Sequence, residues 1–184
     1  MRDFEPIFSL WPSAGYRSVL LEDAAIPQVA GMLNRERLAK KWVPLKAYTT
    51  DSDTKGYPSP DISILNTGGL IINNNFRDSV FTDLAIDLEF LPMEVDHEPW
   101  WLVNCLSVVG GIDERGSSVM RSTSGEIFMV LKLRLIGMEA RDKVLFTLFE
   151  SNQSQIFTTN VFRNRVGVSG AMGVRFDEIG MAVL

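Results

Sequence analysis

Apolar and polar positions along this chain change period several times, and each change marks an element. Two short apolar runs, Phe8 to Trp11 and Val19 to Leu21, flank Pro12 and Gly15. They read as strands or extended arms around a turn. Pro27 is placed to open a helix whose apolar side is Val29, Met32 and Leu33. Thr49 to Pro60 collects turn formers, and its Asp51/Asp53 pair lacks the glycine and distal glutamate of a calcium loop. Asp61 to Leu65 and Gly69 to Asn73 read as strands. Asn75 is positioned as an N-cap, and Phe76, Val80, Phe81 and Leu84 then form the apolar side of a helix ending near Ala85.

Ile86, Leu88 and Phe90 alternate with Asp87 and Glu89, the pattern of a strand with one buried face. Past Pro92 the parity inverts, so that Met93 and Val95 become the apolar set. A bulge or bend at Leu91–Pro92 would produce this. Trp101 to Val109 is a largely apolar strand, Asp113 to Gly125 a serine-rich irregular excursion, and Ile127 to Ile136 a strand wetted by Lys132 and Arg134. Val144 to Phe149 gives a further strand. A second helix around Phe162 to Val166 should end at Gly167, Gly170 and Gly173, before a strand from Val174 to Phe176. The expected class is α+β: a mixed, mainly antiparallel sheet with two or three helices packed on it. One domain spans 1–184, with 60–180 as its core and 1–58 as a less typical N-terminal part.

FRDSV at Phe76–Val80 returns as FRNRV at Phe162–Val166, and a strand phenylalanine follows the first residue of each by 14 positions, Phe90 and Phe176. As a repeat this is a weak signal of a duplicated helix–strand unit, since two short matches without a third also arise by chance.

Composition narrows the class without naming a chemistry. A chain of 184 residues with 46% hydrophobic and 22% charged content can bury a core without metal or disulfide. Cys105 is the single cysteine, which fits a reducing compartment. The first residues carry acid and proline where a signal peptide would be apolar, and no window reads as a membrane helix. A cytoplasmic protein is expected. A pI near 4.9 disfavours direct nucleic-acid binding.

His97 is the single histidine, so a zinc set or a Ser–His–Asp triad lacks its parts. Cys105 sits in an apolar alternation and reads as a buried thiol. TGGLI lacks the lysine and spacing of a phosphate loop. No cofactor, metal or catalytic residue is expected, and the chain is not read as an enzyme. Glu94 and Glu98 keep open one alternative, a carboxylate-dependent hydrolase, since glycosidase-like chemistry needs only two facing carboxylates. A self-associating regulatory domain is another.

Charge supplies the sharper signal. From Asp78 to Glu114 there are nine Asp or Glu and no Lys or Arg, while the whole chain is only −5. Such carboxylates can be a solvated face. Without compensating cations they also create a negative field that steers a basic partner. Trp100 and Trp101 adjoin it, and neighbours in a strand point to opposite faces, so one belongs to the core and the other to a contact surface. The candidate partner-binding set is therefore Asp87, Glu89, Glu94, Asp96, Glu98, Trp100 and Trp101.

The ordered blocks GGLIINNNFRDSV, IDLEFLPMEV, WWLVNCLSVVGGID, LFTLFE and FTTNVFRNRVGVSGAMGVRFDEIG resemble the bacterial immunity protein family numbered eleven, formerly a domain of unknown function. The resemblance covers roughly residues 60–180 and consists of packing blocks. It implies an α+β cytoplasmic protein encoded beside a polymorphic toxin, which it binds and neutralises. It implies no catalytic residue. The partner would be a cognate protein toxin with a basic surface, bound by a monomer or weak homodimer without nucleic acid or membrane.

Overall fold

The computed structural model describes residues 4–23, 29, 36–50, 56–84, 87–141, 143–151 and 155–183. Strands β1 (Phe4–Pro12), β2 (Val19–Leu21), β3 (Leu45–Thr49), β4 (Ile62–Ile64) and β5 (Leu70–Asn73) precede helix α1 (Asn74–Phe81). Strands β6 (Leu88–Val95), β7 (Glu98–Cys105), β8 (Val108–Val109), β9 (Ser118–Arg121), β10 (Ile127–Ile136), β11 (Leu145–Leu148) and β12 (Phe157–Thr158) lead to helix α2 (Asn160–Ser169) and strand β13 (Val174–Val183). The helix expected to open at Pro27, and the Asp51/Asp53 pair, lie outside the described residues, apart from Val29, which is buried.

The expected fold class is wrong. Strand outweighs helix 47% to 14%, and the strands form two curled sheets rather than one sheet carrying helices. One sheet is ordered β2-β3-β6-β7-β5-β4 and the other β8-β11-β12-β1-β13-β10-β9. Each curls around a core of its own. Leu45, Ile71, Leu91, Met93, Trp100 and Leu102 fill the first; Ile7, Ile127, Leu133, Phe146 and Phe157 fill the second. A third core lies between the sheets and takes in both helices, through Val80 and Phe81 of α1 and Phe162 and Val166 of α2. Central strands are thus covered on both faces, which explains the unbroken buried runs Ile7–Leu10 and Leu102–Cys105. Periodicity marks such strands but not which sheet they join.

The two sheets repeat one another. In the first, β5 and β6 flank an antiparallel β7, with α1 as the connection; in the second, β12 and β13 flank an antiparallel β1, with α2 as the connection. Outward from there, β3 joins β6 in parallel as β10 joins β13, and β2 joins β3 antiparallel as β9 joins β10. On the other side β4 joins β5 antiparallel, as β11 joins β12. A shift of 86 residues (162 minus 76) carries the N-cap Asn73 onto the N-cap Thr159, Phe76 onto Phe162, and the start of β6 near that of β13. It also carries Arg77 onto Arg163. Arg77 lies 4.5 Å from the Trp101 ring centre and Arg163 lies 4.9 Å from that of Phe8, each ring belonging to the intercalated strand. The FRDSV/FRNRV match is therefore the trace of a structural repeat. Only the intercalated strand breaks chain order: the second copy takes its own from the N-terminus.

Several local expectations also change. The α1 N-cap is Asn73, whose side chain accepts the Phe76 N–H at 3.1 Å, not Asn75. The helix ends at Phe81, short of Ala85. β6 pairs with β7 in unbroken register from Leu88↔Cys105 to Val95↔Glu98, so there is no bulge at Leu91–Pro92. What inverts is the covered face: Leu88 and Phe90 pack into the core between the sheets, whereas Leu91, Met93 and Val95 pack into the core of their own sheet. The serine-rich excursion contains an edge strand, β9. Gly167 lies inside α2, and the helix stops at Gly170, whose left-handed φ of 76° favours glycine.

Phe81 and Phe162 stack at 5.3 Å where the two helices meet. Replacing Phe81 by Ala is expected to destabilise the protein by about 3–5 kcal/mol, read from the urea unfolding curve. A loss of less than about 1 kcal/mol would show that the sheets do not rely on this stack.

Candidate functional site

β6 and β7 form a tight hairpin. Its turn is Asp96–His97, both at positive φ (50° and 69°), the geometry that matches the twist of the flanking strands. This hairpin carries Glu89, Glu94, Asp96 and Glu98, but the structure does not hold the candidate carboxylates together. Asp87 and Asp96 stand at opposite ends of β6, about 25–30 Å apart for an extended strand of that length.

Cations from elsewhere in the chain also neutralise part of the stretch. Lys143 Nζ lies 3.1 Å from Asp87, Arg134 Nε 3.4 Å from Asp113, and Arg121 pairs with Glu114. Arg77 pairs with Asp78. At the hairpin end, among the described residues, no Lys or Arg forms an ion pair with Glu94, Asp96 or Glu98. Glu94 contacts His97 at 3.2 Å, a pair that is ionic only when the imidazole is protonated, and Lys46 of β3 stands beside it in register. The negative field expected from the whole stretch is therefore concentrated at one end of the six-stranded sheet.

Glu89 is removed from the contact set. It points to the same side as Leu91 and Met93, under residues 36–42. Its carboxylate accepts the Leu38 N–H at 2.7 Å, the Ala39 N–H at 3.0 Å and the Asn104 side-chain amide at 2.9 Å. Asn104, itself 1% exposed, also donates to the Glu36 carbonyl. Trp42 completes the attachment by donating its indole N–H to the Pro92 carbonyl at 2.8 Å. Burial acts to raise the Glu89 pKa, but the Leu38, Asn104 and Ala39 donors and the nearby Arg37 charge together hold it below its ordinary value of 4.5.

The tryptophans point to opposite faces of β7 and one of them is core, but the other is not left open as a contact anchor. Trp100 is a core residue at 6% exposure. Trp101 is half-buried at the edge of the core between the sheets, covered on one face by Arg77, with its indole N–H donated to Asn74 Oδ1 at 2.9 Å. Neither is a free anchor, because β7 is an inner strand with both faces covered.

What the hairpin end does form is a groove of about 320 Å³. Asp96 and Glu98 line it together with Thr49, Asp61 and Asn73 to Asn75, and among the described residues none of its lining is basic. Asp96 is fixed in place by accepting the Thr49 N–H and hydroxyl, at 3.1 and 2.6 Å. Asp61 accepts the Asn73 side-chain amide at 3.0 Å and the Met172 N–H at 3.1 Å. Glu98 is exposed. Asp61 and Thr49 were not legible as site residues, since each reaches the groove only through strand register. Among the described residues no three His, Cys, Asp or Glu are grouped to hold a metal ion. Cys105 is buried. No described helix is long and apolar enough to cross a membrane. No protein-family model matches the chain, and no curated protein does.

The Glu89 attachment has a defined pH dependence. Because its folded pKa is depressed, its contribution is complete above 4.5 and is lost as the pH falls from there through the folded value. Glu89→Gln should cut the hydrogen-exchange protection of the Leu38 and Ala39 amides by about ten-fold or more, since bonds to a charged acceptor contribute about 1.5–3 kcal/mol. Relative to intrinsic exchange rates, the wild-type amides should lose protection on acidification and the variant's should not change further. Equal protection in both proteins would remove Glu89 as the anchor.

Proposed function

We propose that this chain is an immunity protein that binds a bacterial toxin in the cytoplasm and neutralises it by covering a basic surface. The supporting observation is the hairpin-end groove: Asp61, Asp96 and Glu98 line it, and among the described residues no basic side chain does. The resemblance in the packing blocks points the same way and rests on those residues alone. Asp96 and Asp61 are held by hydrogen bonds and form a negative floor, Glu98 in the lining is exposed to incoming Lys or Arg, and Glu94 stands beside the groove in contact with His97. A fixed field of this kind acts first on the encounter rate. Trp100, buried in the core of its sheet, backs the groove from inside, whereas Glu89 anchors residues 36–42 at the other end of β6 and is not proposed as a contact residue.

The test uses the toxin encoded beside this chain. Glu94→Lys with Glu98→Lys should lower the association rate by about ten-fold or more at low salt, and should flatten its dependence on ionic strength. An unchanged rate and salt slope would remove the groove from the interface.

A second observation favours self-pairing through the other sheet. Phe4, Val183 and Ile136 stand in one row across β1, β13 and β10, with Met181 one step along the same face. Phe4 and Ile136 are 55% and 64% exposed. A row of this kind suits a weak homodimer. Sedimentation should then show a concentration-dependent mass that Ile136→Lys abolishes; a monomer at all concentrations would rule this reading out.

A further inference from the structure

The internal repeat identifies one position that is filled in the second copy and, among the described residues, empty in the first. In the second sheet the strand β11 is not the edge, because β8 is added outside it in parallel, through Thr147↔Val108 and Leu148↔Val109. Two amides of the β11 region hold it: Thr147 N–H donates to the Ser107 carbonyl at 3.0 Å and Phe149 N–H to the Val109 carbonyl at 2.9 Å. In the first sheet the equivalent strand, β4, is the edge; its outward Ile62 amide is taken by the Met172 carbonyl at 3.0 Å, which leaves the end at Ile64 and Asn66.

The register identifies the matching amides. Ile64 pairs with Leu70, whose counterpart is Ile156; continuing the β11–β12 register from Phe146↔Phe157 sets Thr147 opposite Ile156. Ile64 therefore corresponds to Thr147, and Asn66 to Phe149. The Leu65 N–H donates to Gly69 and the Asn73 N–H to Asp61, so the odd-numbered residues of β4 bond to β5 and the Ile64 amide points away from it. Neither the Ile64 nor the Asn66 amide has a hydrogen-bond partner among the described residues.

Both residues line a groove of about 410 Å³ whose other walls are Leu10 and Trp11 of β1, Leu20 of β2 and Ile156. β2 is the opposite edge of the same sheet. The walls are predominantly apolar, and Trp11 is 39% exposed. The groove lies at the far end of the β4–β5 hairpin from the acidic one.

We propose that this groove binds an extended apolar segment of a partner protein, added parallel to β4 as β8 is added to β11. Main-chain donors on one wall supply affinity and the apolar walls select the side chains. A space bounded by two strand edges of one curled sheet admits a single extended segment, not the edge of another folded sheet, so a partner's strand fits it and a second copy of this chain does not.

The probe is the capped peptide LSVVGG, a copy of residues 106–111 that carries β8, added to the isotope-labelled full chain. The expected result is a saturable shift and exchange protection of the Ile64 and Asn66 amides. Asn66 follows Leu65 in a turn closed by the Gly68 N–H on the Leu65 carbonyl, and its φ is not positive, so proline is compatible there. Asn66→Pro removes one donor without touching the β4–β5 ladder. It should keep the unfolding midpoint and weaken the peptide by about three- to ten-fold. Equal binding to this variant overturns the proposal. So does protection confined to Thr147 and Phe149, which would show displacement of β8, or equal binding of LSKKGG. A protein that is dimeric through this edge, with a mass that falls in Asn66→Pro, would overturn it in favour of a second copy.

Discussion

The face-to-face contact of Phe81 with Phe162 is the point at which the two halves of this protein become one. Phe90 of β6 lies edge-on to Phe81 at 5.1 Å, Phe176 of β13 lies edge-on to Phe162 at 5.9 Å, and Phe8 of β1 follows at 6.5 Å from Phe176. Five rings thus run from one sheet, through both helices, into the other. Each offset or perpendicular pair adds about 0.5–1.5 kcal/mol beyond its buried area. The helices have no independent existence: eight and ten residues are too few to be stable alone. They are held because the sheets need an apolar filling between them, and the sheets meet because the helices fill it.

The repeat explains why this ladder is nearly symmetrical, and also where the symmetry fails. In the first copy the intercalated strand β7 follows β6 through a tight turn, a local pairing. In the second copy the same place is taken by β1, from the other end of the chain. The middle of the second sheet can therefore close only when Phe4–Pro12 meets Val174–Val183 across nearly the whole sequence. Such long-range closure is the slow class of folding event. Gly180 marks how tight that closure is: a Cβ there would stand 1.6 Å from the Leu133 carbonyl oxygen, so β10 and β13 pack against bare backbone.

Elements defined by local chemistry were legible in the sequence. β2 and β10 have their expected boundaries, and β4, β5 and the two described helices are within a few residues of theirs. The fold class was not, because assembly depends on which strands pair, and a central strand covered on both faces has no period to read. The apparent parity flip at Pro92 shows this well: the pleat is continuous and the change belongs to the surroundings. β9 was missed because an edge strand with polar residues resembles a loop. At the site, the charge of the hairpin end was legible. The separation of Asp87, the inward turn of Glu89 and the contribution of Asp61 were not, since strand length, sheet face and register decide them.

The two copies differ most where the first is acidic and open. At the start of α2 the Asn160 N–H is taken by the Glu5 carboxylate of β1, at 3.2 Å. At the start of α1 the corresponding region, Asn74 and Asn75, borders the groove with Asp61, Asp96 and Glu98. One copy thus uses its intercalated strand to supply a carboxylate that closes the helix end internally. The other uses the equivalent strand end to present Glu98 outward. Carboxylates that only stabilised the fold would be expected at both ends or neutralised at both, as Lys143 neutralises Asp87. Placing three together at one end, with no Lys or Arg ion pair among the described residues, leaves a negative surface that suits a basic partner. That asymmetry between otherwise matching halves is the physical argument for placing the proposed toxin contact at the β6–β7 turn.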